Sequence, residues 1–469
     1  MWGIDLQRES EMPLKRQLYL ALRERILSGR MKAGEALPST RELAGAIRVS
    51  RNTVNEAYEM LAVEGFVVNR QGAATRVAEG LVLERTPASE APEDDLQPAS
   101  YAADSRTGQP DLRQFPRYLW QQMTNKALRE MPAASLGYTG PQGLARLREE
   151  IAAYLLRSKG LSVAADHIFI TAGATHALNL IADLLYEDGK PILVEDPCNR
   201  GMLQALANRG HTTKPIPVDS SGLLTERLSG LSSCAVYVTP SHQFPLGGIL
   251  PAGRRAALIR YAREQNSFIV EDDYDSEFRY YGNPIAPLYA MDPERVIYVG
   301  TFSKVLFPAL RIGYAIVPRR LHQRWRRLRT YSDVQNPPFE QAALAELLHT
   351  RKFDRHLAAM RKLYGERRQR LLSSLREHFG DGWRSWGDAA GLHLAVQFPD
   401  MTFDDAFVNS CKAGGIRLAP VEYHCIRKGE HADKLLFGYG HLEPDEIERG
   451  VLQLKEVWNG TRTPRTSAP

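Results

Sequence analysis

Short apolar runs alternate with helical stretches over most of the chain after about residue 101. Runs of this kind, bounded by polar and turn-forming residues, are typical of buried strands. Their spacing leaves a helical stretch between successive runs, which predicts βαβ units and a mostly parallel sheet with both faces covered. After Gly391 a smaller α+β portion is expected to close the chain. The predicted strands are 167–171, 191–195, 235–238, 267–270 and 296–299.

The residues before this region have the pattern of a separate helical module. Ser39 and Glu42 have the spacing of a capping box, which predicts a short second helix through about Ile47. Ser50 can cap a third helix, and Gly65 is expected to end it. Apolar residues at helical spacing mark the buried faces of the first and third helices: Leu14, Leu18, Leu22 and Ile26, then Val54, Ala57, Tyr58 and Leu61.

A small hairpin is predicted after the third helix, from residues 66–68 and 75–77. Three helices followed by a two-stranded wing predict a winged helix-turn-helix, since only a short turn separates the second and third helices. Polar residues crowd the start of the third helix, which is the end that a recognition helix presents to base edges. Residues 1–78 hold twelve Lys and Arg against nine Asp and Glu, a net charge of +3. Affinity for DNA would therefore need dimerisation and would fall with salt.

The module resembles the DNA-binding domain of the GntR family. The match runs through Ile26-Leu27-Ser28-Gly29-Arg30, Gly34, Leu37-Pro38-Ser39, Arg41-Glu42-Leu43-Ala44 and 49–54. The resemblance implies contacts with double-stranded DNA from Arg41, Ser50, Arg51, Asn52 and, in the wing, Gly72. The wing departs from the family pattern, because Gly72-Ala73-Ala74-Thr75-Arg76-Val77 stands where Gly-Ser-Gly-Thr-Phe-Val is usual.

Length and composition indicate a multidomain globular protein. A chain of 469 residues is expected to hold two to four domains, and its net charge of +5 is too mild to indicate nucleic-acid binding by itself. No apolar run approaches the ~20 residues that cross a bilayer, and the N-terminus lacks a signal-peptide pattern. The cysteines are scattered, which argues against a disulfide framework or a metal site and predicts a cytoplasmic protein. They are Cys198, Cys234, Cys411 and Cys425.

Proline-rich acidic sequence separates the two regions. Residues 79–100 are predicted to be a flexible linker, which gives a winged helix-turn-helix at 12–78 and a large domain at 101–458. Residues 459–469 are predicted to be a disordered tail. The basic helical stretch 319–378 is expected to present a solvated helix face that links two subdomains.

A lysine lies just after the last predicted strand of the large domain, in the segment Gly300–Tyr314. Thr301, Lys304 and Arg311 place a hydroxyl, an amine and a guanidinium on one irregular stretch. A lysine amine can form an imine with an aldehyde, and an arginine offers a planar fork to a phosphate dianion. The combination suits an aldehyde cofactor that also carries a phosphate.

An acidic segment follows the preceding predicted strand. The lysine segment resembles the lysine loop of fold-type I enzymes, which use pyridoxal phosphate, a cofactor with a pyridine ring. A carboxylate at a strand end can pair with the nitrogen of such a ring and keep it protonated, which makes the ring an electron sink. Asp272 and Asp273 are rivals for this role, because neighbours along a strand point to opposite faces. Tyr274 can reach the phenolic oxygen of such a ring.

These segments resemble those of class I/II aminotransferases, which are fold-type I enzymes that use pyridoxal 5'-phosphate. The resemblance implies that Lys304 forms the Schiff base with the cofactor, with Asp272 at the ring nitrogen and Tyr274 at the ring oxygen. The turn Gly173-Ala174-Thr175, between a predicted strand and a helix, is expected to bind the phosphate together with Thr301 and Arg311. Tyr138, in Tyr138-Thr139-Gly140-Pro141, matches the tyrosine that reaches the phosphate of the neighbouring subunit. This implies a homodimer with shared sites.

A GntR winged helix joined to an aminotransferase-like domain is similar to the MocR subfamily of transcriptional regulators. The resemblance implies an α+β head, an α/β aminotransferase-like domain with a smaller C-terminal α+β subdomain, and an effector that is an amino compound or pyridoxal phosphate itself. An effector can switch such a protein only if it binds the two DNA-binding arrangements unequally.

Three departures concern the site itself. Asn199 replaces an aromatic residue that usually lies near the ring, and His242-Gln243-Phe244-Pro245 replaces the usual asparagine-containing turn. Leu436 stands where aminotransferases carry the arginine that grips a substrate carboxylate. Lys434 is the nearest cation and the candidate for an effector carboxylate, although it lacks the bidentate geometry of arginine.

Three functions are therefore open from the sequence. The first is a pyridoxal-phosphate-dependent transcription factor, and the second is a working aminotransferase with a regulatory DNA-binding head. The third is a DNA-binding protein whose large domain has lost the cofactor and serves only as a dimerisation scaffold. A yellow colour that depends on Lys304 would eliminate the third function.

Overall fold

The computed structural model describes residues 4–69, 73–81, 101–187 and 189–462, and divides into two units, Met1–Pro98 and Ala99–Pro469. Most of the predicted linker 79–100, wing residue Gly72 and the end of the predicted tail lie outside the described residues. The last helix continues to Arg462, so the first residues of the predicted tail 459–469 are helical.

The first unit is built from three helices and a hairpin: α1 Leu14–Leu27, α2 Thr40–Ile47, α3 Arg51–Val63, β1 Val67–Val68 and β2 Arg76–Val77. The capping box forms as predicted, because the Ser39 hydroxyl accepts from the Glu42 N–H and the Glu42 carboxylate accepts from the Ser39 N–H. The apolar residues predicted for α1 and α3 are buried in one core, apart from the half-buried Leu14.

The hairpin is extended by the chain that precedes α2. Strands β1 and β2 are antiparallel, and Val77 of β2 also accepts from the Gly34 N–H and donates its own N–H to the Glu35 carbonyl. Gly65 has a φ of 77°, which ends α3 as predicted because glycine adopts this conformation without steric cost. The first unit therefore has the winged helix-turn-helix fold.

The second unit is an α/β domain with a smaller sheet at its C-terminal end. Its strands are β3 Ala103–Asp104, β4 Ile168–Thr171, β5 Ile192–Asp196, β6 Thr213–Asp219, β7 Gly222–Leu223, β8 Ala235–Val238, β9 Phe268–Asp273, β10 Val296–Thr301, β11 Gly313–Ile316, β12 Arg384–Trp386, β13 His393–Gln397, β14 Ile416–Arg417, β15 Ala419–Pro420 and β16 Lys434–Gly438. Its helices are α4 Arg117–Glu130, α5 Ala145–Lys159, α6 Ala174–Leu185, α7 Arg200–Ala207, α8 Ala252–Glu264, α9 His322–Thr330, α10 Pro338–His349, α11 Lys352–Phe379, α12 Asp405–Ala413 and α13 Pro444–Arg462.

Within the described residues the large sheet has eight strands in the order β4-β11-β10-β9-β8-β5-β6-β7. Strands β10, β9, β8, β5 and β6 pair in parallel, as predicted. Strand β11 runs antiparallel between β10 and β4, and β7 is antiparallel to β6. The sequence analysis did not predict β6 and β11. Pro215 and Pro217 interrupt the apolar pattern of β6. They are accommodated because β7 pairs only with the end of β6, so residues 213–217 have a partner strand on one side only among the described residues.

Helices cover both faces of this sheet, as the apolar runs predict. One face packs against α6, α7 and Trp325 of α9, and the other packs against α5, α8, α10 and α11. The smaller sheet has the antiparallel order β12-β13-β16-β15, and β14 pairs in parallel with β3 at the beginning of the unit. The first strand of the unit therefore belongs to the smaller C-terminal subdomain.

The basic stretch 319–378 forms three helices, and the expectation that it is solvated is wrong for three of its arginines. Arg329, Arg367 and Arg368 are at most 2% exposed. The Nη atoms of each donate to a carboxylate, a carbonyl or a hydroxyl, as when Arg367 donates to Asp111 at 2.7 Å. The Nε atoms of Arg367 and Arg368 have no partner among the described residues. The helices of the described residues are all too short or too polar to span a bilayer.

Candidate cofactor cavity and DNA interface

A cavity of about 390 Å³ opens at the carboxyl ends of β4, β9 and β10. In open α/β sheets this edge is where ligands bind. The cavity brings together residues that lie far apart in the sequence and were predicted to share one site. They are Ala174, Thr175, Asp272, Tyr274, Thr301, Lys304 and Arg311.

One corner of the cavity is suited to a phosphate. Helix α6 begins at Ala174, and no side chain of the described residues caps its first turn, so its N–H groups are available to an anion. The Arg311 guanidinium lies beside this turn and donates to the Ala172 carbonyl at 2.6 Å. A Cβ atom on Gly173 would lie 3.1 Å from that guanidinium, and Gly173 has a φ of 85°. Glycine is therefore needed there both for the turn and for the approach of Arg311.

Lys304 lies in the loop after β10 with its amine inside the cavity. Its Nζ donates to the Gly108 carbonyl at 2.6 Å, so the segment around Gly108 holds the amine in place. Burial lowers the pKa of the Lys304 amine, and the nearby Asp275 and Asp272 carboxylates only partly oppose this effect. A lowered pKa increases the neutral fraction, which is the nucleophilic form of an amine.

Asp272 has one satisfied and one unsatisfied oxygen. The Tyr237 hydroxyl donates to its Oδ2 at 2.7 Å, whereas its buried Oδ1 has no hydrogen-bond partner among the described residues. Burial raises the pKa of Asp272 to about 6. The neighbouring Asp273 does not line the cavity and pairs instead with Lys159 at 2.5 Å and Tyr298 at 2.7 Å. Of the two rivals, Asp272 is therefore the one that faces the cavity.

The Tyr274 hydroxyl is within hydrogen-bonding distance of a buried histidine that pairs with an aspartate. Its hydroxyl lies 3.0 Å from His242 Nδ1, which lies 2.9 Å from Asp275 Oδ1. Although burial opposes protonation, Asp275 raises the pKa of His242. His242, Asp275 and His393 offer ligand atoms within 4.8 Å of one another, so this is where a metal ion could be held, although the Asp275 carboxylate is already paired with His242.

Two cavity histidines were missed by the sequence analysis. His393 begins β13, and His424 lies before β16, so both come from the smaller subdomain. Burial lowers the pKa of His424 to about 4 and that of His393 well below its usual value. Phe244 packs edge-on against His424 and also lines the cavity. Neither histidine has neighbours in the sequence that would have indicated a site.

Some predicted site residues are not brought to the cavity. The Lys434 amine is buried, pairs with Asp433 at 2.7 Å and lies over the Trp386 ring, so it does not line the cavity. Leu436 points into an apolar cluster with Ala395 and Val421. Asn199 does line the cavity, where it caps α7. Tyr138 is 89% exposed and lies outside the cavity of its own chain.

The residues predicted to contact DNA lie on the surface of the first unit. Arg51 and Asn52 are exposed in the first turn of α3, and Arg41 is exposed in α2. The Ser50 hydroxyl accepts from the Thr53 N–H at 3.0 Å, so it caps α3. Arg51 Nε donates to the Thr40 hydroxyl at 3.2 Å, which joins the two helices of the motif. Gly72 lies outside the described residues.

Comparison with protein families assigns both units. Residues 14–77 match the family described as bacterial regulatory proteins of the gntR family, and residues 109–420 match aminotransferase class I and II. The fold of the second unit is similar to that of the kynurenine aminotransferase from Pyrococcus horikoshii. The TM-score is 0.72 at 26% identity over 78% of this chain and 92% of that chain.

Curated relatives match nearly the whole chain. It is 32% identical to the probable rhizopine catabolism regulatory protein MocR of Rhizobium meliloti, over 97% of this chain and 95% of that protein. It is also 32% identical to the pyridoxine biosynthesis transcriptional regulator PdxR of Corynebacterium glutamicum, over 94% and 95% of the two chains. The chain therefore belongs to the MocR-type transcriptional regulators, in which a GntR winged helix is joined to an aminotransferase class I and II domain whose cofactor is pyridoxal 5'-phosphate.

Proposed function

We propose that the cavity residues bind pyridoxal phosphate and that binding of an amine or of the cofactor itself alters the grip of the winged helix on promoter DNA. The single observation that carries the proposal is the unpaired, buried Asp272 Oδ1, which leaves an acceptor for a ring N–H. A buried acceptor without a partner is costly, so a ligand donor there is favourable. The residues present thus fit the cofactor.

Each remaining group of the cofactor has a partner of suitable chemistry. The start of α6 and Arg311 would hold the phosphate, with Thr301 nearby. Tyr274, held by His242, would donate to the ring oxygen. Lys304 supplies the amine that meets the aldehyde. When bound, pyridoxal phosphate supplies an aldehyde that combines with amines and a protonated ring that withdraws electrons.

The aminotransferase alternative has less support. A working transaminase of amino acids needs a cation for the substrate carboxylate, and the position expected to provide it is Leu436, which packs in an apolar cluster. Lys434 is buried against Asp433 and Trp386 and does not replace it. We infer that the chemistry of Lys304 serves to sense an amine or the cofactor.

We further propose that the protein acts as a homodimer with shared sites. Tyr138 and Tyr331 are both 89% exposed, and large exposed aromatic side chains are typical of protein interfaces. Their loops are joined, because Gln335 accepts from the Thr139 N–H at 2.7 Å and donates to the Gly137 carbonyl. Two joined loops that each expose a tyrosine support the expectation that Tyr138 reaches the partner's phosphate site.

A DNA-binding titration tests the proposal. We expect the full-length protein to bind upstream DNA as two chains per site, and we expect pyridoxal phosphate or an amine to change the apparent dissociation constant. Electrophoretic mobility shift combined with mass measurement of the complex reads both quantities. DNA affinity that is the same with and without pyridoxal phosphate and amines would contradict the proposal, as would one chain per site.

The affinity for the cofactor should fall as the pH is lowered through about 6. The Asp272 carboxyl has a pKa of about 6 in the free cavity, and only its deprotonated form can pair with a ring cation. Pyridoxamine 5'-phosphate is the better probe, because it lacks the aldehyde and does not react with Lys304. Its phosphate also titrates near 6, so the control is Asp272→Asn, in which only the phosphate can titrate in this range. The part of the pH dependence that disappears in this variant is therefore due to Asp272. An identical pH profile in both proteins would refute the assignment.

A further inference from the structure

A second cavity, of about 90 Å³, lies behind the segment that carries Tyr274. It is lined by the end of α5, by residues 276–285 and by α11, and it does not share a lining residue with the cofactor cavity. A single water needs roughly 10–15 Å³ of such space, so there is room for several waters or for one small oxyanion. Polar groups supply part of its wall, including Lys159, Ser241, Ser276, Arg279 and Arg361.

Three donor atoms of this wall are buried without partners. Arg279 Nε, Arg279 Nη1 and the Ser241 hydroxyl have no hydrogen-bond partner among the described residues, and Ser241 is only 5% exposed. Arg279 as a whole is half-buried, and its two buried donor atoms carry a desolvation cost that no hydrogen bond offsets. All three atoms belong to residues that line one cavity, which favours a ligand with acceptor atoms there.

The charges around the cavity determine the sign of that ligand. Lys159 is already neutralised by Asp273 at 2.5 Å and Glu277 at 3.3 Å. Arg361 uses its Nε on the Glu277 carbonyl at 3.0 Å. Neither Arg279 nor Arg361 forms an ion pair within the part of the chain that the structure describes. The Glu277 carboxylate also lines the cavity but is paired with Lys159, so the two arginines leave an excess of positive charge.

We propose that this cavity is a binding site for a small oxyanion, such as inorganic phosphate or a carboxylate, held by Arg279 and Ser241. Arginine suits this role because its planar fork presents parallel donors to two oxygens. Ser241 immediately precedes His242 and Ser276 immediately follows Asp275, so the anion site borders both residues that support Tyr274. The site is distinct from the phosphate corner at α6 and Arg311.

Calorimetric titration of the full-length holoprotein tests the site. Reduction with borohydride first fixes the cofactor, so that its phosphate occupies the corner at α6. Phosphate and acetate are then titrated separately at constant ionic strength, with chloride as the balancing anion. We expect saturable binding in wild type and an apparent affinity that is weaker by about ten-fold or more in Arg279→Met, because this variant loses the charged hydrogen bonds of the guanidinium to the oxyanion. The tighter of the two probes identifies the oxyanion class.

Arg355→Met is the matched control, since Arg355 is exposed on α11 and does not line the cavity. Its affinity should equal that of wild type, and phosphate binding to the winged helix would be unchanged in both variants. Ser241→Ala tests the same site without removing a charge, should Arg279→Met fail to fold. Absence of saturable binding in wild type, or equal affinity in wild type, Arg279→Met and Ser241→Ala, would mean that the cavity holds only water and would overturn the proposal.

Discussion

Replacing Lys304 by alanine should abolish retention of the cofactor through desalting and, with it, the response of DNA binding to amines. The amine is the group that reacts with the aldehyde, and no other lysine of the described residues lines the cofactor cavity. The fold should be unaffected for two reasons. The described residues give the Lys304 side chain a single hydrogen bond, to the Gly108 carbonyl, and burial of the charged amine is itself unfavourable. Visible absorbance after desalting, and the mass increase after borohydride reduction, measure the loss.

Lys362→Ala is a suitable control, because Lys362 is an exposed lysine of α11 whose side chain is 82% exposed. This variant should keep the colour, the borohydride-dependent mass and the amine response of wild type. Lys304→Ala should still bind promoter DNA, since the winged helix is a separate unit with its own core. If Lys304→Ala kept its colour through desalting, another amine would hold the cofactor and our assignment of the site would be wrong.

The sequence predicts those parts of the structure that depend on residues close together in the chain or on the regular alternation of strands and helices. The capping box of Ser39 and Glu42 forms because both partners lie on one helical turn. The alternation of strands and helices places the ends of β4, β9 and β10 at one sheet edge, so Thr175, Asp272 and Lys304 meet there. Strand alternation alone leaves Asp272 and Asp273 as rivals, and only the family resemblance favours Asp272. In the structure Asp273 is paired with Lys159, and Asp272 faces the cavity.

What the sequence does not predict depends on contacts between distant segments. Tyr237 lies in a buried strand whose apolar pattern gives no sign that its hydroxyl reaches Asp272. His393 and His424 enter the cavity only because the smaller subdomain folds back onto the large sheet. The basic composition of residues 319–378 suggested a solvated face, whereas carboxylates and carbonyls from other elements bury Arg329, Arg367 and Arg368. Charge in the sequence does not reveal whether a partner exists in the fold.

Replacing Arg51 by alanine should weaken DNA binding by about one hundred-fold or more in the proposed homodimer. A specific arginine contact contributes about 1–3 kcal/mol. In a two-fold symmetric dimer the substitution is present in both chains, so the contact is lost from both half-sites. The helix should persist, because alanine is a strong helix former and the Ser50 cap remains. The contact to Thr40 is an exposed hydrogen bond and contributes little to stability. If Arg51 contacts a phosphate, the salt dependence of the dissociation constant should become less steep in Arg51→Ala. If Arg51 contacts a base edge, the variant should discriminate less between operator and unrelated DNA sequences.

Arg16→Gln separates this effect from a general loss of positive charge. Arg16 is an exposed arginine of α1 that lies over the Tyr19 ring, so this variant changes the charge of the same unit by the same amount at a different surface. If Arg51 contacts DNA directly, Arg51→Ala should lose far more DNA affinity than Arg16→Gln. If only the overall positive charge of the unit matters, both variants should lose the same affinity. Equal and small losses would mean that α3 is not the element that enters the groove. The cofactor content of both variants should equal that of wild type, because the cavity is formed entirely by residues of the second unit.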